Sequence, residues 1–344
     1  MSLAQRISPP PASLAPTAHG GALDAARRRY PHAPEPWIDL STGINPRAYP
    51  LPEIPIEAFT RLPDADATLA CEAAAAKAYG VAPGAAVIAG PGSQAFIKAL
   101  PRLLPARRVA TLGFTYAEHG AAWRAAGAEV VEARDIDLLA RADVAIVVNP
   151  NNPDGRRVAP AALATLAGKM PFRGGAVVVD EAFADFEPGV SAIGEVCEKL
   201  IVLRSFGKAY GLPGLRLGFA VCGAELAQRL RAELGPWAVS GPALAVAPRA
   251  LADAAWLAQS GERLQAQARR LDALLGRAGF RIAGGTRLFR LAENAEAGRW
   301  FERLCAQGVL ARRFAEKPNW LRFGVPDAPH QWERLAQALG AANV

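Results

Sequence analysis

The chain has 344 residues, of which 51% are hydrophobic and 21% are charged, and its formal net charge is +7. This length exceeds the size at which one hydrophobic core usually stops growing, so we expect two domains. The sequence has no apolar run that could cross a bilayer, no apolar signal core at its start, and no basic stretch with interleaved aromatic residues. These features argue against membrane, secreted and nucleic-acid-binding proteins, and they favour a cytoplasmic protein with acidic or phosphorylated ligands.

The cysteines show neither close pairing nor the spacing of a zinc site. We therefore expect buried thiols in a reducing compartment and no metal ion. The four cysteines are Cys71, Cys197, Cys222 and Cys305.

The order of the apolar runs predicts an α/β fold. Valine-rich runs alternate with alanine- and leucine-rich helical segments, which is typical of a mainly parallel sheet covered by helices. We expect an N-terminal arm at residues 1–45 and a large domain at residues 46–230. A smaller α+β domain at residues 231–344 is expected to include residues of the arm.

Three predicted strands are followed by polar side chains. These strands are residues 142–148, 176–179 and 200–204. They are followed by Asn152, Asp180 and Lys208 respectively. Ligands of open α/β sheets bind outside the carboxyl ends of the strands, so we expect these three side chains to converge there.

The chemistry of these residues suits a phosphate-bearing aldehyde cofactor such as pyridoxal phosphate. Lys208 could form a Schiff base with the aldehyde, and Ser205 and Arg216 could hold the phosphate. Asp180 could keep the pyridine nitrogen protonated, and Asn152 could donate to the phenolic oxygen. Taken singly, each has a simpler interpretation as a surface lysine, a capping aspartate or a turn asparagine. Their joint occurrence favours the cofactor site.

Three motifs resemble those of fold-type I pyridoxal-phosphate enzymes, in the branch that contains histidinol-phosphate aminotransferases and threonine-phosphate decarboxylases. The motifs are Asn-Pro-Asn-Asn-Pro-Asp-Gly at residues 149–155, Asp-Glu-Ala-Phe at residues 180–183, and Ser-Phe-Gly-Lys-Ala-Tyr-Gly-Leu-Pro-Gly-Leu-Arg-Leu-Gly at residues 205–218. The resemblance implies that Lys208 is the Schiff-base lysine and Asp180 the partner of the ring nitrogen. It also implies that Asn152 binds the phenolic oxygen, and that Ser205 and Arg216 bind the phosphate.

Two upstream segments resemble further parts of the cofactor site. The turn of Gly92, Ser93 and Gln94 resembles the family's phosphate-binding turn, where backbone N–H groups at a helix N-terminus face the anion. The segment at residues 114–119 resembles the one that carries the stacking aromatic ring. We prefer Tyr116 for this ring and His119 second, with a half-buried packing role as the alternative for Tyr116.

The N-terminal region resembles threonine-phosphate decarboxylases in particular. The resemblance lies in His19-Gly20-Gly21 and in Asp-Leu-Ser-Thr-Gly-Ile-Asn-Pro at residues 39–46. In that family the N-terminal segment folds over the substrate, so the resemblance implies that His19 contacts a substrate phosphate, best when it is protonated. A histidine in an unattached arm is the alternative.

Two arginines near the C-terminus are further candidates for substrate binding. The segment at residues 319–323 resembles the strand whose arginine binds the substrate α-carboxylate, which implies this role for Arg322. The segment at residues 308–314 resembles a family segment that would place Arg312 against the substrate phosphate. Either arginine could instead be a solvated charge on an edge strand.

The sequence departs from its relatives at two positions. Leu62 stands where relatives commonly carry a tyrosine that reaches the cofactor phosphate of the neighbouring subunit. Phe183 replaces a tyrosine of many aminotransferases, which leaves Asn152 as the main donor to the phenolic oxygen. The resemblance nevertheless implies a homodimer, because fold-type I sites lie at subunit interfaces.

The leading hypothesis is decarboxylation of L-threonine O-3-phosphate to (R)-1-amino-2-propanol O-2-phosphate in cobalamin biosynthesis. The alternative within enzymes is an aminotransferase for histidinol phosphate or an aromatic amino acid, because both reactions would use the same lysine, aspartate and arginine. A non-enzymatic regulator on this fold is the third hypothesis, but such regulators usually carry an extra DNA-binding domain, and residues 1–40 are too short and too proline-rich to form one.

Overall fold

The computed structural model of the protein describes residues 20–171 and 174–340. Its strands are β1 (Ile38–Asp39), β2 (Ala85–Gly90), β3 (Arg108–Leu112), β4 (Glu129–Ala133), β5 (Val144–Val148), β6 (Ala176–Asp180), β7 (Leu200–Ser205), β8 (Gly218–Gly223), β9 (Arg281–Thr286), β10 (Phe289–Glu293), β11 (Val309–Leu310), β12 (Arg312–Arg313) and β13 (Trp320–Gly324). Its helices are α1 (Leu23–Arg29), α2 (Glu57–Thr60), α3 (Ala65–Tyr79), α4 (Ser93–Leu103), α5 (Ala117–Ala125), α6 (Ile136–Leu139), α7 (Pro160–Lys169), α8 (Phe206–Ala209), α9 (Ala224–Leu234), α10 (Gly241–Ala252), α11 (Ala254–Arg277), α12 (Ala297–Ala306) and α13 (Pro329–Ala338).

A seven-stranded sheet forms the centre of the larger part, with the strand order β2-β8-β7-β6-β5-β3-β4. All of its strand pairs are parallel except those of β8, which runs antiparallel to β2 and to β7. The register aligns Val148 of β5 with Asp180 of β6, and Asp180 with Leu203 of β7. The carboxyl ends of these three strands therefore lie side by side.

The central strands are uniformly apolar because both of their faces are buried. In β5, Ala145 and Val147 belong to the core on one face of the sheet, whereas Val144 and Ile146 belong to the core on the other face. Strands β6 and β7 divide their residues in the same alternating way, as the two-residue period of a strand requires.

A second sheet has the order β12-β13-β10-β9 and is antiparallel throughout. It packs with α11, α12 and α13 around a third hydrophobic core. The N-terminal segment joins this part of the molecule, because Ile38 of β1 pairs with Val309 of β11, and the N–H of Gly324 donates to the carbonyl of Leu40. The predicted α/β class, with a mainly parallel large sheet and a smaller α+β region, is confirmed. The exact domain boundaries at residues 45 and 230 stay predictions.

Among residues 20–171 and 174–340, no helix is both long enough and apolar enough to cross a membrane.

A buried ionic cluster lies directly beneath the carboxyl ends of β6 and β7. Arg204 of β7 donates to Glu181 at 2.9 Å and to Asp185 at 2.7 Å, and all three side chains are less than a tenth exposed. The guanidinium also lies over the ring of Tyr79, 4.4 Å from its centroid. The cluster holds the chain that follows β6 against β7, immediately before Ser205.

We predict that Arg204→Met lowers the free energy of unfolding by about 3–5 kcal/mol, because it leaves two buried carboxylates without their cation. The matched control is Arg102→Met, which removes a pair with Glu233 in which the arginine is 59% exposed. That change should cost no more than about 1 kcal/mol. Urea unfolding of the two variants tests this, and equal losses would contradict the structural role of the cluster.

Candidate active site

The structure brings Lys208 to the carboxyl ends of the central strands. Lys208 lies on α8, which begins directly after β7, and Asp180 is the last residue of the neighbouring β6. The Nζ of Lys208 lies 5.5 Å from the ring centroid of Phe183, three residues after Asp180. Asp180 is also close enough to act electrostatically on the Lys208 amine, so these two side chains converge.

Burial lowers the pKa of Lys208 to about 8. The positive charges of Arg322 and Arg216 act in the same direction, whereas the carboxylate of Asp180 opposes them. An amine with this pKa is still mostly protonated at pH 7, but it reaches the neutral form at a much lower pH than an ordinary lysine. The nucleophilic form that a Schiff-base lysine needs is therefore more accessible for Lys208 than for an exposed lysine.

Asp180 is buried and is held by two donors. One carboxylate oxygen lies 2.8 Å from Nε2 of His119, and the other accepts from the N–H of Ala182 at 3.0 Å. A carboxylate can only accept, so Nε2 of His119 carries the proton of this hydrogen bond. The side chain of His119 is 1% exposed and comes from α5, which places a fixed imidazole behind the carboxylate.

Arg322 connects Asn152 with the N-terminal segment. Its Nη1 donates to Oδ1 of Asn152 at 2.5 Å, and its Nη2 donates to the carbonyl of Ser41 at 2.8 Å. Its buried Nε has no hydrogen-bond partner among the described residues. The amide NH₂ group of Asn152 remains as a donor, because only its oxygen is used by Arg322.

The surroundings of Arg322 lower the pKa of its guanidinium group. Burial lowers its pKa to about 10, with a further contribution from the positive charge of Arg312. The two arginines are aligned across β13 and β12. Burial also lowers the pKa of Arg312. Two adjacent, partly desolvated guanidinium groups form a site that favours an anionic ligand.

The turn before α4 lies against Arg216 and against the start of β8. A Cβ at Gly92, whose φ is +82°, would lie 2.8 Å from a guanidinium nitrogen of Arg216, and a Cβ at Gly218 would lie 2.3 Å from the backbone nitrogen of Ser93. Glycine is required at residue 218 because the clash would be with backbone, and at residue 92 it is favoured by the positive φ. The first N–H groups of α4, at Ser93 and Gln94, have no partner within the helix and suit a phosphate.

Tyr116 lies on the His119 side of the site. Its ring packs edge-on against the imidazole of His119, with 6.2 Å between centroids, and its hydroxyl donates to Oε1 of Gln94 at 3.3 Å. Gln94 in turn donates to Glu118 at 2.5 Å. Burial raises the pKa of Tyr116 to about 12, so the hydroxyl stays protonated. The position is compatible with either the stacking or the packing role.

The predicted His19 lies outside the described residues, but the two glycines that follow it are described. The N–H of Gly21 donates to Oγ of Ser41 at 2.7 Å. A Cβ at Gly20 would lie 2.3 Å from the carbonyl oxygen of Ser41, the same oxygen that accepts from Arg322. The glycine pair therefore packs directly on a residue that positions Arg322.

Sequence reasoning missed two contacts of this site. It treated His119 as a second candidate for the stacking ring, whereas the structure makes it the partner of Asp180. It assigned no role to Ser41, whose backbone carbonyl orients Arg322. A carbonyl contact carries no side-chain signature, whereas a histidine three residues after Tyr116 in a helix could have been recognised as lying on the same face. The roles of the individual residues stay predictions.

Comparisons with known proteins agree with this geometry. Residues 46–341 match the family model for aminotransferase class I and II. A threonine-phosphate decarboxylase from Sinorhizobium sp is 46% identical over 94% of this chain and 98% of its own, and one from Pseudomonas aeruginosa is 46% identical over 93% and 96%. A crystal structure of histidinol-phosphate aminotransferase from Sinorhizobium meliloti in complex with pyridoxal-5'-phosphate shares the fold, with a TM-score of 0.77 at 20% identity over 93% of this chain and 94% of its own.

The family match covers most of the chain, and the two relatives cover nearly all of it. The predicted enzyme class and the predicted cofactor, pyridoxal phosphate, are thereby confirmed. The sheet topology, the buried lysine and the aspartate at the strand ends are those of a protein that belongs to the aminotransferase class I and II family.

Proposed function

We propose that this chain is a pyridoxal-phosphate-dependent decarboxylase that converts L-threonine O-3-phosphate to (R)-1-amino-2-propanol O-2-phosphate in cobalamin biosynthesis. The observation that carries the proposal is the 46% identity, over nearly the whole chain, to relatives named threonine-phosphate decarboxylase. The site supports it with a buried lysine and two adjacent arginines, one for each anionic group of such a substrate.

The residues at the strand ends fit the cofactor. Lys208 would hold it covalently, Asp180 would face its ring nitrogen, and the NH₂ group of Asn152 would face its phenolic oxygen. Its ring would stack on Tyr116. The phosphate would be bound by Gly92, Ser93 and Gln94 at the start of α4, by Ser205 at the end of β7 and by Arg216 shortly before β8. When bound, pyridoxal phosphate supplies an electron-withdrawing ring that accepts the electron pair of a bond broken at the substrate Cα.

Side chains around the cofactor would bind and orient the substrate. The unpartnered Nε of Arg322 and its planar geometry suit the α-carboxylate. Arg312, one strand away, suits the substrate phosphate together with His19. The orientation of the carboxylate would decide which bond at Cα breaks, and Lys208 would return a proton to that carbon.

Phe183 also supports a role different from that of a typical aminotransferase. Its ring packs edge-on against Phe289, with centroids 4.9 Å apart, and it has no hydroxyl to offer to the cofactor. Asn152 is left as the donor to the phenolic oxygen. Aminotransfer to histidinol phosphate or to an aromatic amino acid remains the second candidate, because it would use the same side chains.

We also propose that the protein is a homodimer. Large apolar side chains are exposed along the segment that contains Leu62, and such patches usually mark interaction surfaces. The exposed side chains are Leu51, Ile56, Phe59, Leu62 and Leu69, with Trp237 further along the chain. Sedimentation of the purified protein should give the mass of two chains, and the mass of one chain would contradict this proposal.

A cytoplasmic location is proposed on the basis of the cysteines. All four are free thiols, and three of them are buried. Free thiols persist in a reducing compartment.

Cofactor uptake by the cofactor-free protein should depend on pH through Lys208. The rate should rise as pH increases through about 8, where the amine loses its proton, and should level off above that pH. Arg322→Met removes a neighbouring positive charge and should move the midpoint of this rise to higher pH. Stopped-flow absorbance measures both curves. A midpoint near 10.5, the value of an ordinary lysine, would contradict the burial of this amine.

The products distinguish the two candidate reactions. The purified protein with pyridoxal phosphate should release carbon dioxide from L-threonine O-3-phosphate and should not transaminate histidinol phosphate with 2-oxoglutarate. Lys208→Ala should abolish carbon dioxide release together with the visible absorbance of the bound cofactor. Transamination without carbon dioxide release would overturn the decarboxylase proposal and favour the second candidate.

A further inference from the structure

The helix that carries Lys208 depends on another segment for its hydrogen bonds. Helix α8 has only four residues, so its last carbonyl groups lack partners within the helix. Asn45 donates from its backbone N–H to the carbonyl of Lys208 and from Nδ2 to the carbonyl of Ala209, both at 2.9 Å. The N–H of Tyr49 donates to the carbonyl of Tyr210 at 2.8 Å. Three consecutive carbonyls are therefore capped by residues 45–49.

Asn45 is buried, at 2% exposure, and the orientation of its amide is determined by its neighbours. Its Oδ1 accepts from Nη2 of Arg263 and from the N–H of Arg47, each at 3.1 Å. With two donors on the oxygen, the NH₂ group must point towards the carbonyl of Ala209. This side chain accepts hydrogen bonds on one side and donates one on the other, and only an amide can do both in this orientation.

A carboxylate in the C-terminal part of the chain is shared by residues around Asn45. Asp327 accepts from Arg47 at 3.2 Å and from Gln267 at 2.9 Å, and it lies 3.8 Å from Nε of Arg263. Arg263 and Gln267 belong to the long helix α11. Asn45 therefore connects the lysine-bearing turn of the large sheet with the part of the molecule that contains α11 and β13.

The backbone of Gly211 lies close to the backbone of Asn45. A Cβ at Gly211, whose φ is +65°, would lie 2.7 Å from the carbonyl oxygen of Asn45. The two segments are consequently in direct contact, and a shift of Asn45 would be transmitted to the backbone of Lys208. Since a displacement of about 1 Å can cost up to about a hundredfold in rate, this contact bears on catalysis.

We propose that Asn45 is a positioning residue for Lys208. It holds the lysine-bearing turn through the carbonyls of Lys208 and Ala209, and Arg263 fixes the orientation of its amide. The proposal rests on the proposed role of Lys208 as the lysine that binds the cofactor. It concerns the direction in which the amine points and not the binding of the substrate carboxylate, which belongs to Arg322.

The test replaces the NH₂ group of Asn45 by an oxygen. Asn45→Asp keeps the oxygen that accepts from Arg263 and Arg47, but it puts a second oxygen against the carbonyl of Ala209. The matched control is Asn294→Asp, because Asn294 also donates from Nδ2 to a carbonyl, that of Gly279, and accepts on Oδ1 from a backbone N–H. The holoenzymes are compared by kcat, by KM and by the visible circular dichroism of the bound cofactor.

We expect Asn45→Asp to lower kcat about tenfold with little change in KM, and to alter the visible circular dichroism per bound cofactor. Asn294→Asp should change neither. An Asn45→Asp protein with the kcat and the spectrum of the unmodified protein would overturn the proposal, and so would an effect confined to KM. If this variant does not fold, Arg263→Met is compared with the unmodified protein by the same three measurements. We expect a smaller effect in the same direction.

A failure of the proposed function gives a different result. In that case the unmodified protein would show no visible band with pyridoxal phosphate, or Lys208→Ala would retain it. With the band present and dependent on Lys208, the comparison of the two asparagine variants tests the role of Asn45 alone.

Discussion

The site depends on the burial of one amine among charged groups. Lys208 is surrounded by the positive charges of Arg322 and Arg216 and by the carboxylate of Asp180, and burial together with the arginines brings its pKa to about 8. Among the described groups that act on this amine, two arginines stand against one carboxylate, so their charges do not balance. A ligand with several negative groups would supply that balance. The same arrangement therefore lowers the pKa of the lysine and supports the proposed phosphorylated substrate.

The N-terminal segment is an integral part of the site. It pairs with the C-terminal region through β1 and β11, it offers the carbonyl of Ser41 to Arg322, and it caps the lysine-bearing turn through Asn45. Gly20 and Gly21 add further contacts with Ser41. This segment touches both Arg322 and Lys208, so under the proposed roles of these residues it would link substrate binding to the geometry of the reaction.

The sequence predicted the fold class and the placement of polar residues after the central strands, because both follow from local patterns of apolar and polar residues. The runs that became β5, β6 and β7 are apolar on both faces, and each is followed by a polar motif of recognisable spacing. The partner of Asp180 was not predicted, because His119 and Asp180 are 61 residues apart and meet only after the sheet has formed. The carbonyl of Ser41 was also missed, because its contact with Arg322 depends on how the chain folds back and not on a side chain.

The most direct test of the account is chemical trapping of the cofactor. The protein loaded with pyridoxal phosphate is reduced with borohydride and digested, and the peptide that carries the pyridoxyl group is sequenced by mass spectrometry. The account predicts a single modified residue, Lys208, and loss of the modification in Lys208→Ala. Modification of a different lysine, or unchanged labelling of the Lys208→Ala protein, would contradict the assignment on which the proposed site is built.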